Sequence, residues 1–148
     1  MIIDYINKNI ISINSNDSFK TASRIMGENN IGFLPVTENN EFIGVITDRD
    51  ICINLININN VDSEIKSFIT KNIISVDSNS KVKDALLIMK KNKVKRLLVK
   101  ENDKYIGITS ISDLLKSNNP EIINTIKSIF SIHDNKNHKD AKIDEFYL

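Results

Sequence analysis

Gly44-Val45-Ile46-Thr47-Asp48-Arg49-Asp50 and Gly107-Ile108-Thr109-Ser110-Ile111-Ser112-Asp113 write one pattern twice, Gly-x-x-Thr/Ser-x-x-Asp, at a spacing of 63 residues (107 less 44). Working outward, the same offset pairs Asn9-Ile10-Ile11-Ser12-Ile13 with Asn72-Ile73-Ile74-Ser75-Val76. It also pairs Ala22 with Ala85, Ile25-Met26 with Ile88-Met89, and Glu38-Asn39 with Glu101-Asn102. No gap is needed from Ile2/Ile65 to Ile51/Leu114, so the chain is an internal duplication.

Each copy spells the same order of elements. A short strand opens it, over residues 10–13 and 73–76. A helix follows, with cap candidates Asp17 or Ser18 and Ser80. Its apolar residues fall at helical spacing: Phe19, Ala22, Ile25 and Met26, then Val82, Ala85, Ile88 and Met89. Two strands come next, over 33–37 and 42–46, then over 94–100 and 105–109. Glu38-Asn39-Asn40-Glu41 and Glu101-Asn102-Asp103-Lys104 join them, and Asn and Asp tolerate the left-handed backbone a hairpin needs. A shorter helix starts near Asp48 and near Ser112. The reading is an α/β (α+β) fold of two units, each strand-helix-strand-strand-helix. A unit of ~60 residues buries too little surface to be secure alone, so the copies are expected to pack with pseudo-twofold symmetry. The expected divisions are 1–59, 60–118 and 119–148, with a linker over 57–63. In the last division Ile122, Ile123, Ile126, Ile129 and Phe130 mark a third amphipathic helix starting near Pro120. A polar tail follows, ending in Phe146-Tyr147-Leu148.

Composition narrows the function. Twenty basic and 19 acidic residues give a formal net charge of +1, no electrostatic basis for general nucleic-acid binding. No apolar run reaches the ~20 residues of a membrane helix, and the N-terminus lacks the pattern of a secretory signal. Cys52 is the single cysteine, in keeping with a cytoplasmic location. His133 and His138 lack Cys or carboxylate neighbours at ligand spacing, so no metal site is expected. No nucleophile elbow, Walker loop or zinc-protease motif is present, and the expectation is a protein that is not an enzyme.

With Gly44-Val45-Ile46-Thr47-Asp48-Arg49-Asp50-Ile51 preceded by Leu34-Pro35-Val36, the chain resembles the CBS (cystathionine-β-synthase) domain family. Two copies resemble a CBS pair, or Bateman module, over residues 2 to 118 of 148. The resemblance implies a non-catalytic regulatory module, free-standing here, that binds AMP, ADP, ATP or S-adenosylmethionine in clefts between the copies. It implies energy sensing, a homodimer and an unidentified regulated protein as partner. No cofactor is required; the adenine nucleotide is the regulatory ligand.

Family roles carry over by position. The resemblance implies that Asp50 and Asp113 would bind the ribose and that Thr47 and Ser110 would lie near ribose and phosphate. It implies that main-chain groups and apolar side chains around Ile11, Ile13, Ile74 and Val76 would flank the base. The family often places a basic residue before the second strand, where the second copy has Lys93, Lys95 and Arg96. The first copy has Asn30, Gly32 and Phe33 there, and Arg49 adds a charge within its motif. The second site is therefore expected to prefer phosphorylated ligands, and the first to be weaker, empty or selective for a nucleoside. The chemistry agrees: a carboxylate accepts from a cis-diol, and a hydroxyl at a helix start stands beside free N–H groups. Thr47-x-x-Asp50 and Ser110-x-x-Asp113 also read as helix capping boxes that need no ligand. The rival class is a structural or protein-interaction module using the dimer surface and the C-terminal helix.

Overall fold

Both hairpins form where Asn and Asp supply left-handed backbone. Asn39 and Asn40 take φ of 51° and 65°, and Asn102 and Asp103 take 48° and 61°. Two consecutive positive-φ residues make the type I′ turn, whose twist matches that of paired strands. In the computed structural model, which describes residues 1–130, these turns join β2 (Phe33–Glu38) to β3 (Glu41–Thr47) and β5 (Arg96–Glu101) to β6 (Lys104–Ser110). The first strands, β1 (Ile13–Asn14) and β4 (Ser75–Asp77), pair in parallel with β2 and β5. Two three-stranded sheets result, ordered β1-β2-β3 and β4-β5-β6. The first strands start later than the sequence suggests. Parallel pairing begins only opposite Val36 and Leu98, where Ile13 and Ser75 find their partners.

The helices α1 (Phe19–Asn29) and α3 (Val82–Asn92) each bury one apolar face: Phe19, Ala22 and Met26, then Ala85, Leu86 and Met89. Ser18 caps α1, its Oγ accepting from the Thr21 N–H at 3.2 Å. At α3 the cap position is Lys81 rather than Ser80, with no side-chain cap bond. Both helices end on a left-handed residue, Asn30 (φ 52°) and Lys93 (φ 54°), whose N–H turns back to the last carbonyls. Lys93 thus serves as a backbone stop.

The second helices differ between the copies. α2 (Asp48–Ile58) runs eleven residues and stops at left-handed Asn59, so the connecting stretch begins two residues later than expected. α4 (Ile111–Lys116) runs six. The chain then turns through Asn118 (φ 52°) and restarts as α5 (Pro120–Phe130). Pro120 stands at the first helical position, where its missing N–H costs nothing. Asn119 Oδ1 accepts from the Glu121 N–H at 2.9 Å. Ile122, Ile126 and Ile129 are buried, and Lys90 Nζ donates to the Ile129 carbonyl at 2.6 Å. The polar tail, with His133, His138 and Phe146-Tyr147-Leu148, lies outside the described residues.

The chain forms two compact units, and they do not divide at the 59/60 boundary of the linear repeats. One is Ile10–Ile73; the other joins Met1–Asn9 to the chain from Ile74 onward. Each leading segment makes a short 3-10 turn, Ile2–Tyr5 or Ile65–Phe68, and each drives one isoleucine to full burial. Ile65 joins a core with Phe19, Leu34 and Ile46. Ile2 joins one with Leu86, Met89, Leu97 and Leu114. Each segment then pairs with an otherwise free sheet edge. The Thr70 N–H donates to the Val45 carbonyl at 2.8 Å, and Asn7 does the same to Ile108 at 2.8 Å. An edge strand left bare is a liability, and here a segment borrowed across the repeat boundary covers it, Met1–Asn9 in one unit and the stretch up to Ile73 in the other. The motif glycines make room for that cover. A Cβ on Gly44 would lie 2.6 Å from the Thr70 carbonyl oxygen, and one on Gly107 would lie 2.9 Å from that of Asn7.

Candidate ligand-binding motifs

In the first unit β3 runs directly into α2, and Thr47 is the hinge residue between them. Its backbone is extended (φ −117°, ψ 164°), the usual state of an N-cap. Thr47 Oγ accepts from the Asp50 N–H at 3.2 Å. Asp50 Oδ2 accepts in return from the Thr47 N–H at 2.9 Å and from the Thr47 hydroxyl at 2.8 Å. This is the reciprocal capping box. It uses one carboxylate oxygen. Asp50 Oδ1 makes no hydrogen bond among the described residues.

The second unit repeats the side-chain cap but not the return bond from the backbone N–H of the cap residue to the aspartate. Ser110 caps α4, its Oγ accepting from the Asp113 N–H at 3.1 Å, and the hydroxyl donates to Asp113 Oδ2 at 2.6 Å. Asp113 Oδ1 likewise makes no hydrogen bond among the described residues. Ser110 is 8% exposed, while Asp113, like Asp50, is half-buried. The neighbouring Thr109 is fully buried and donates to the Tyr5 carbonyl at 3.1 Å, so it anchors the borrowed segment.

The cationic residues singled out in the sequence stand beside the second motif. Arg96 lies directly across the ladder from Ser110, and the Lys95 carbonyl accepts from the Ile111 N–H at 3.1 Å. Both side chains are exposed. In the first unit Phe33 lies across from Thr47, and the Gly32 carbonyl accepts from the Asp48 N–H at 3.1 Å. Arg49 is exposed and forms no ion pair among the described residues.

The apolar residues split. Ile13 and Val76 turn into the cores, 3% and 5% exposed, and have little side-chain surface to offer a ligand. Ile11 and Ile74, which precede the ladders, are half-buried against those cores.

A further pair escaped the sequence reading. The Asp48 carboxylate lies over Gly32, where a Cβ would be 2.4 Å from Oδ2, and Asp48 Oδ1 accepts from the Arg49 N–H at 2.8 Å. The signal available was the break in the repeat: Gly32 and Asp48 align with Lys95 and Ile111. A perturbed carboxyl lies away from both motifs. Glu38 is held below the ordinary carboxylate range by the hydrogen bond from Lys66, then by that from Ser15. Among the described residues no three His, Cys, Asp or Glu side chains gather as a metal site, and no helix is long and apolar enough to cross a membrane.

Comparison with known proteins gives this arrangement its relatives. The family model for the CBS domain matches residues 2–57 and again 65–118. An uncharacterised protein of Methanocaldococcus jannaschii is 36% identical over 110 residues, which is 74% of this chain and 36% of that protein; the chain thus matches about a third of that relative's length. The crystal structure of an uncharacterised conserved protein from Pyrococcus horikoshii has a TM-score of 0.72 at 28% identity, covering 79% of this chain and 90% of that one. A CBS domain pair crystallised with 5′-methylthioadenosine and S-adenosyl-L-methionine has a TM-score of 0.69 at 24% identity, covering 79% and 94%. With both repeats matched and the fold shared, the chain belongs to the CBS domain family, as a tandem pair.

Proposed function

We propose that this CBS pair is a non-catalytic regulatory module that binds an adenosine-containing ligand at its two motifs and passes a conformational change to a partner protein. The observation that carries this reading is the half-used carboxylate. In both units the aspartate meets its cap residue with Oδ2 alone, accepting from the Thr47 N–H and hydroxyl in the first and from the Ser110 hydroxyl in the second, and Oδ1 keeps two lone pairs, enough for the two hydroxyls of a ribose cis-diol. A residue needed only as a cap requires no more than the first of these. The structurally similar pair crystallised with two adenosine compounds supports the ligand class. The ligand acts by favouring one packing of the molecule, and it shifts the balance only as far as its affinities for the two packings differ. A homodimer, AMP, ADP or ATP as alternative ligands, and an energy-sensing role belong to the same proposal. The rival reading, a ligand-free interaction module, relied on the third helix. α5 gives it little support, because its apolar face is buried in the core of its own unit.

Isothermal titration of the full chain with AMP, ADP, ATP and S-adenosylmethionine tests this, with Asp50→Ala and Asp113→Ala beside it. Losing charge-assisted hydrogen bonds of ~1.5–3 kcal/mol each should weaken binding at the altered motif by at least ~10-fold. If the variants lose folding stability while affinity per folded molecule is unchanged, the aspartates are caps and the reading fails.

A further inference from the structure

The two motifs share a backbone and differ in charge at one spot. In each unit the residue before β2 or β5 offers its carbonyl to the first N–H of the following helix, at 3.1 Å in both cases. In the second unit that residue is Lys95, and the helix residue it meets is the uncharged Ile111. In the first unit the residue is Gly32, and the helix residue is Asp48. The Asp48 carboxylate fills the very place where a side chain at position 32 would begin. One location beside the cap therefore holds an anion in the first unit and gives rise to a cation in the second. The Asp48 carboxylate also occupies the Arg49 N–H, while the Asp50 N–H is taken by Thr47 Oγ. The donors at the start of α2 that would otherwise face an incoming anion are already bonded to the protein's own groups. Around the first motif stand two carboxylates, Asp48 and Asp50, and one guanidinium, Arg49. Around the second stand two cations, Lys95 and Arg96, and one carboxylate, Asp113.

We infer that Asp48, seated over Gly32, is a charge filter that keeps phosphorylated ligands from the first motif and leaves it to adenosine compounds without a phosphate, while the second motif accepts the phosphorylated ones. This rests on the adenosine-binding reading and adds to it the residue pair that makes the motifs unequal. Asp48 is exposed, so the filter works through charge at the surface and weakens with salt.

The test isolates the first motif. In the Asp113→Ala chain, titration with AMP and with the uncharged thioether 5′-methylthioadenosine reports on Thr47 and Asp50. The thioether should bind about ten-fold more tightly than AMP. Adding Asp48→Asn, which keeps an acceptor for the Arg49 N–H and removes the charge, should raise AMP affinity about ten-fold and leave the thioether within about two-fold. The pair exchange Gly32→Lys with Asp48→Ile, which copies the second unit, should make AMP the preferred ligand. Equal binding of both compounds before the exchange, or no change in AMP affinity after Asp48→Asn, overturns the filter while leaving adenosine binding intact. If the wild-type chain binds neither compound, the underlying reading falls and the filter with it.

Discussion

Replacing Ile2 by Ala is expected to weaken the unit that carries the second motif rather than the repeat to which Ile2 belongs in sequence. Ile2 is completely buried and sits among Val76, Leu86, Met89, Leu97 and Leu114. The change removes three carbons. At ~0.8 kcal/mol for each, the transfer part alone is about 2.4 kcal/mol, and the cavity left behind brings the cost to about 2–5 kcal/mol. That is a large share of the ~5–15 kcal/mol that holds a domain together. Hydrogen exchange read by mass spectrometry locates the damage. Peptides from β4, α3, β5 and β6 should lose protection, and those from β1, α1, β2 and β3 should keep most of theirs. The mirror substitution Ile65→Ala, at the equivalent buried position, should reverse the pattern. Selective loss of protection over residues 10–59 in Ile2→Ala would refute the exchange of leading segments.

Three further outcomes can be checked by denaturation. Gly107→Ala and Gly44→Ala should each destabilise by about 1–3 kcal/mol in urea titrations, because the new methyl group meets a backbone carbonyl at 2.9 or 2.6 Å and the borrowed segment must shift. Gly27→Ala should do the opposite: its Cβ would meet nothing within 4 Å on a helix, so about 0.5–1 kcal/mol of stability is gained. The Glu38–Lys66 pair should show in the pH dependence. A carboxyl lowered from 4.5 stabilises the fold above that value and loses the effect as pH falls through its folded value. Lys66, raised from 10.5, keeps its share below that value and loses it as pH climbs past the folded one. Lys66 is exposed and Glu38 only partly buried, so the Tm advantage of wild type over Lys66→Ala should be small at pH 7. It should fade in ~1 M salt and vanish near pH ~2; an advantage persisting there contradicts the pairing.

The parts of the fold that depend on local chemistry could be read from the residues alone. Asn39-Asn40 and Asn102-Asp103 announced their turns, Thr47 and Ser110 their caps, and Pro120 the start of α5, since each acts through its own backbone preference. What the sequence hid is what depends on distant partners. The repeat shows that Ile2 and Ile65 are equivalent, but not whose sheet edge each one's segment will cover. Gly44 and Gly107 recur in the motif with no partner legible beside them, and the atom they spare is a carbonyl of that segment. Ile13 and Val76 shared an apolar run with Ile11 and Ile74, and only the register of the ladder separates core from flank. The capping role and the proposed ribose role of Asp50 and Asp113 are indistinguishable as letters. They part only when the two carboxylate oxygens can be followed separately.

The most direct test is a thermal melt of the nucleotide-stripped full chain against AMP, ADP, ATP and S-adenosylmethionine, with GTP as the control. A ligand present at about 100 times its dissociation constant should stabilise the fold by about 2.7 kcal/mol, a readily visible rise in Tm. Adenosine binding calls for a rise with at least one adenosine compound and none with GTP. No rise with any of them at millimolar concentration, or an equal rise with GTP, would contradict it.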